Sequence, residues 1–121
     1  MAAELVLVDS NILIRWIQPR DPAFHAIEAS IEHLAKSGSV LCYTSQNLGE
    51  FWNVLTRPAG RNGYGLSPQQ ADWHARHIEA AFKLLVDSLA VQEEWRRILV
   101  AYSVSGVQVH DARLVAAMIV H

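Results

Sequence analysis

Cysteine occurs once in the 121 residues, as Cys42, so no intramolecular disulfide can form. Its place in the apolar run Val40-Leu41-Cys42-Tyr43 suits a buried thiol in a reducing compartment. Long hydrophobic runs are missing too, and no stretch approaches the roughly 20 apolar residues of a membrane span. The amino end has Glu4 where an export signal carries positive charge, and Leu5-Val6-Leu7-Val8 is too short for an export core. A soluble, cytoplasmic protein without a membrane segment is therefore expected. Positive charge is not in excess either: ten Lys and Arg stand against twelve Asp and Glu, a net charge of −2. That excludes a polycation gripping nucleic acid by bulk charge and leaves such binding to a local basic patch. There is no internal repeat, low-complexity tract or linker. What is present, 51% hydrophobic and 18% charged residues, is enough apolar surface for a folded core, and the length is that of a single domain over residues 1–121.

Apolar runs and helical patterns alternate along the chain. Residues 4–8 form a short apolar run that ends at Asp9, the pattern of a strand buried on both faces. Residues 10–16 read as a short helix stopped near Pro19. Asp21-Pro22 offers a cap for a second helix, in which Phe24, Ile27, Ile31, Leu34 and Ala35 recur at helical spacing before Gly38. Residues 40–43 repeat the buried-strand pattern, and Thr44 or Ser45 caps a helix running towards Thr56. Residues 57–66 hold three glycines and a proline and read as a loop. Ser67-Pro68-Gln69-Gln70 matches a capping box with proline at the first helical position, and Ala71, His74, Ile78, Ala81, Phe82 and Leu85 mark the buried side of the helix it opens. A third strand is expected near residues 84–86. A helix over 91–104 carries Trp95, Leu99 and Tyr102, and a last one from Asp111 buries Ala112, Val115, Ala116 and Ile119. Strand and helix alternating in this way predict an α/β fold with a mainly parallel sheet, whose ligands lie outside the strand carboxyl ends.

Most of the acids sit among polar neighbours and read as solvated surface. Asp9, Glu50 and Asp111 do not, since each stands beside core-forming sequence. At 100° per residue, Glu50 shares a helix face with Gln46, Asn47, Asn53 and Arg57, opposite Leu48, Trp52 and Leu55. Such a stripe can run along the rim of the crevice into which Asp9 points, or it can be ordinary surface. Clustered carboxylates repel unless a cation holds them, and ligands that are all oxygen select Mg²⁺ or Mn²⁺. His74 and His77, three apart on a helix, read as a polar surface patch before a zinc site.

With these acids placed, the sequence resembles the PIN-domain family, metal-dependent ribonucleases that include the VapC-type toxins of bacterial toxin–antitoxin pairs. The resemblance rests on Val8-Asp9-Ser10-Asn11-Ile12-Leu13, on Gln46-Asn47-Leu48-Gly49-Glu50-Phe51-Trp52-Asn53 and on His110-Asp111-Ala112-Arg113-Leu114-Val115-Ala116-Ala117, in this order and spacing. It implies a PIN-like three-layer α/β/α fold. It further implies that Asp9, Glu50 and Asp111 gather around Mg²⁺ or Mn²⁺ as metal-holding catalytic acids, with Ser10 or Asn11 as a supporting polar group; Asn47 and Asn53, on the polar face with Glu50, are further candidate supporting groups. The reaction implied is hydrolysis of an RNA phosphodiester by an activated water, leaving a 5′-phosphate and a 3′-hydroxyl. Family members continue past the last helix into a further strand and a loop with another Asp or Asn. The sequence ends at His121, so an incomplete domain with an uncovered sheet edge is expected.

Arg57 and Arg61 flank the glycine-rich loop, and Arg113 lies in the third motif. These three, and Arg15 after the first motif, are candidate phosphate contacts, the loop a candidate lid, and Tyr64 a candidate stacking platform. Trp16 with Ile12 and Ile17 belongs either to the core or to a partner surface. The resemblance implies a homodimer and, for a toxin, a small antitoxin partner. Two other readings remain: a catalytically silent PIN-like domain that binds RNA or protein, and a receiver-like domain with Asp9 as phosphoacceptor. The second is weakened by the lack of a Lys or another Asp near a strand end.

Overall fold

The computed structural model describes residues 3–121. The elements follow in the order β1 (Leu5–Leu7), α1 (Ser10–Trp16), α2 (Phe24–Lys36), β2 (Val40–Thr44), α3 (Ser45–Thr56), a 3-10 turn (Ala59–Arg61), α4 (Pro68–Ala81), β3 (Lys83–Leu85), α5 (Leu89–Ala101) and α6 (Gln108–Val120). The sheet has the order β1-β2-β3. β1 and β2 run parallel with Leu5, Val6 and Leu7 opposite Val40, Leu41 and Cys42. This is the α/β architecture with a parallel sheet that the alternating pattern predicts. The chain divides into two compact units, one running to Leu84 and the other spanning Leu85–His121.

In the first unit the core gathers Val8, Leu13, Leu41, Tyr43, Phe51, Leu55, Ala71, Ile78 and Phe82, with Trp16, Ile12 and Ile17 packed against it. Trp16 lies 5.0 Å from Phe82, ring centre to ring centre, so it serves the core. β2 is almost wholly buried. β1 is not: Leu5 is 37% exposed, because β1 is an edge strand of the sheet among the described residues. The expectation of a strand buried on both faces holds for β2 only. Burial pushes the Cys42 thiol above its ordinary range, as an inert buried thiol requires.

Local chemistry sets the helix ends. Asp9 caps α1, and Ser67 with Gln70 closes the capping box that opens α4. α2 starts at Phe24, after a turn in which the Asp21 carboxylate accepts the Ala23 amide at 2.8 Å, so the Asp21-Pro22 pair precedes the helix and does not cap it. Gly38, at φ 86°, takes the left-handed conformation that ends α2. On α4 the buried side is Ala71, Ala75 and Ile78; Ala81 is exposed and His74 half-buried.

The second unit has its own core of Val91, Ile98, Ala112, Ala116 and Ala117, with Trp95, Leu99 and Val104 against it. The small alanines let α6 pack closely on α5. Val115 and Ile119 lie largely outside this core, and Tyr102, just past the last residue of α5, is 73% exposed, against the sequence expectation. α6 also begins three residues before Asp111, at Gln108.

Candidate active site

Asp9 ends the first apolar run, where the chain leaves β1. Its carboxylate Oδ1 accepts the Ser10 amide at 2.7 Å, which starts α1. Ser10 is buried. Its hydroxyl donates to Glu50 Oε2 at 2.6 Å across 40 residues of sequence, and Gln46 Nε2 donates to Glu50 Oε1 at 3.3 Å. One serine thus bonds the two acids, Asp9 through its backbone N–H and Glu50 through its side chain. Both carboxylates are exposed, so they can meet a ligand from solvent. Asn11 and Asn53 are exposed on α1 and α3.

Asn47 corrects the helical-wheel reading. The buried residues of α3 are Asn47, Phe51 and Leu55, while Leu48 and Trp52 are only half-buried. The reason is the capping box at the end of β2. The Asn47 amide folds back on Thr44, accepting the Thr44 N–H at 3.0 Å and the Thr44 hydroxyl at 2.9 Å. Thr44 was visible in the sequence as a cap. Its tie to Asn47, and through Asn47 to Ser10, could be sought only by treating Thr-x-x-Asn as a shortened capping box.

Asp111 belongs to the second unit, exposed in the first turn of α6. It lines an open cavity of about 500 Å³ with Ile98, Tyr102, Val104 and Gln108. Among the described residues, neither unit by itself groups three His, Cys, Asp or Glu side chains as metal ligands. His77 Nδ1 pairs with the Trp73 carbonyl at 2.8 Å, and His74 and His77 line a small cavity with Trp16, Trp73 and Glu28.

Burial, and after it the charge of His77, holds the His74 imidazole below its usual pKa of 6.5. A folded-state value below the unfolded one gives stability that is present above about pH 6.5 and lost as pH falls through it. His74→Gln is therefore expected to flatten the loss of Tm between about pH 6.5 and 5, measured by thermal melts across that range.

The three arginines are placed differently. Arg57 Nη2 donates to the Asn62 carbonyl at 2.9 Å, so its guanidinium closes the 57–66 loop. Arg113 grips Asp87 with two nitrogens, donates to Gln92 and lies 4.9 Å over the Trp95 ring, which commits it to the second unit's own structure. Arg61 is exposed and is the one of the three left facing solvent. The loop itself is knitted by backbone bonds from Tyr64 to Val54, Gly65 to Arg57 and Leu66 to Leu55, and Gln18 donates to the Tyr64 hydroxyl at 2.8 Å. This is a fastened turn, not the movable lid its glycines suggested. A Cβ at Gly63 would come within 2.0 Å of the Arg57 carbonyl oxygen. Gly63→Ala is expected to spring the loop and expose the bond after Arg61 to trypsin, read as faster cleavage there under native conditions.

Asp9, Glu50 and Ser10 offer oxygen donors only, the set that hard cations such as Mg²⁺ and Mn²⁺ prefer and that zinc does not. By donor chemistry these residues fit such an ion.

No helix among the described residues is long and apolar enough to cross a membrane. Among solved structures, the chain is similar to VapC20 of Mycobacterium tuberculosis, a sarcin–ricin-loop-cleaving toxin. The TM-score is 0.61 at 18% identity, over 96% of this chain and 82% of that one, a likeness of fold. No curated protein matches. The profile of the PIN domain matches residues 6–121 and so spans both units. The chain belongs to the PIN-domain family.

Proposed function

We propose that the chain is a metal-dependent endoribonuclease, the toxin of a toxin–antitoxin pair, working as one domain over residues 1–121. The observation that carries this reading is the pairing of Asp9 and Glu50 on Ser10 beside the carboxyl end of β1, in a chain of the PIN family. Asp9, Glu50 and Asp111 are the proposed catalytic acids and hold Mg²⁺ or Mn²⁺. When bound, the cation supplies an acidified water and neutralises charge on the phosphate oxygens. Ser10 holds Glu50 in place with its hydroxyl and fixes Asp9 with its amide. Asn11 and Asn53 stand exposed as polar groups for a phosphate or sugar, and Arg61 is the loop cation free to meet a phosphate. The proposed partners are an RNA substrate, a small antitoxin and a second copy of the chain, in the cytoplasm. RNA hairpins are the natural first probes, since VapC20 cleaves the sarcin–ricin loop.

A second reading, a silent RNA- or protein-binding domain, is favoured by the two-acid composition of the first unit's site. Cleavage separates the two. A labelled set of single-stranded and hairpin RNAs incubated with Mn²⁺ or Mg²⁺ is expected to be cut, and a chelator is expected to stop it. Cleavage that survives the chelator, or none by a folded chain that still binds the RNA, overturns the nuclease reading.

A further inference from the structure

We propose that Asn47 is a positioning residue that sets Glu50 through the Ser10 hydroxyl, with Thr44 fixing the direction of every bond between them. The inference rests on the reading of Glu50 as a functional carboxylate and adds to it the residues that aim it. Asn47 is 0% exposed, and a buried amide must have its hydrogen bonds met. Its Oδ1 faces the Thr44 N–H at 3.0 Å and the Thr44 hydroxyl at 2.9 Å. The backbone N–H can only donate, so the amide cannot flip without setting its own NH₂ against that donor. The Asn47 backbone N–H donates to the Thr44 Oγ1 at 3.1 Å, which leaves the Thr44 hydroxyl proton for Asn47 Oδ1.

With Oδ1 taken, Asn47 Nδ2 is the atom that faces Ser10 Oγ, at 3.4 Å. An amide NH₂ only donates, so Ser10 Oγ accepts there. A serine hydroxyl has one proton, and that proton goes to Glu50 Oε2 at 2.6 Å. The chain of bonds therefore runs one way, from the capping box at the end of β2 to the carboxylate on the exposed side of α3. The usual residue at this place in a capping box is Glu or Gln. The shorter Asn keeps the cap and presents its NH₂ to Ser10.

Asn47→Asp separates the cap from the relay. It retains an oxygen for Thr44 but presents a second acceptor to Ser10, which competes with Glu50 for the one hydroxyl proton. Ser10→Ala removes the relay itself, and the double variant completes a cycle in which any plain effect of the added charge appears in both backgrounds. The first readout needs no metal: side-chain NMR of Glu50 is expected to report one rotamer, with proximity to Ser10, in the wild-type chain and rotamer averaging in each single variant. The second is Mn²⁺ affinity by calorimetry. Asn47→Asp is expected to weaken it about tenfold when Ser10 is present and not in the Ser10→Ala background. If Asn47→Asp does not fold, Asn47→Ser, too short to reach Ser10, takes its place. Equal effects with the serine present and in the Ser10→Ala background, or a Glu50 rotamer unchanged by either substitution, overturn the proposal. A wild-type chain with a fixed Glu50 rotamer and no Mn²⁺ affinity upholds the relay and refutes the metal site.

Discussion

Phe51→Ala is expected to cost about 3–5 kcal/mol of stability, as removal of a fully packed aromatic ring does. Phe51 is completely buried, in a core drawn from α1, β2, α3 and α4. It lies one turn from Asn47 and one turn from Leu55 on the buried side of α3. Its loss removes the ring that holds α3, and with it Glu50, in the first unit. Thermal melting should show a fall of roughly 10–20 °C, and Phe51→Leu should lose much less because it refills most of the space. An unchanged melt for the alanine variant would mean that α3 is not anchored this way.

The second large effect falls on activity. Asp9→Asn and Glu50→Gln are each expected to lower RNA cleavage by about 100-fold or more, the scale on which aimed electrostatic groups act in active sites. Both substitutions preserve shape and the hydrogen bonds to Ser10. Asn caps a helix as well as Asp does, so the bond to the Ser10 amide can persist, and the Gln carbonyl still accepts from the Ser10 hydroxyl. What disappears is the negative charge. The melts should therefore stay near wild type while cleavage falls. A parallel fall in both would point to lost structure instead of lost chemistry.

The strand and helix order was legible because apolar runs and capping residues are local signals. Asp9 stood out as an acid ending such a run, and Ser67-Pro68-Gln69-Gln70 announced α4 before its place in the fold was known. What could not be read depended on neighbours far along the chain. β1 looks like β2 in sequence, yet its exposure follows from its place at the edge of the sheet. Asn47 looks like part of a solvated stripe, and only its bonds to Thr44 and Ser10 make burial tolerable. Val115 and Ile119 have the hydrophobicity of core residues, but the alanines of α6 make the closer contact with α5. Arg57 and Arg113 are indistinguishable in sequence from cations that meet phosphate, and their pairing with Asn62, and with Asp87 and Gln92, appears only in three dimensions.

Acids aimed by Ser10 are proposed to let this chain hydrolyse RNA with water. End-group analysis of labelled RNA treated with the wild-type chain and Asp9→Asn, side by side, with Mn²⁺ and with chelator, decides it. Fragments with 5′-phosphate and 3′-hydroxyl ends are expected from the wild-type chain in Mn²⁺ alone. Fragments ending in a cyclic phosphate, or equal cleavage by Asp9→Asn, would contradict it.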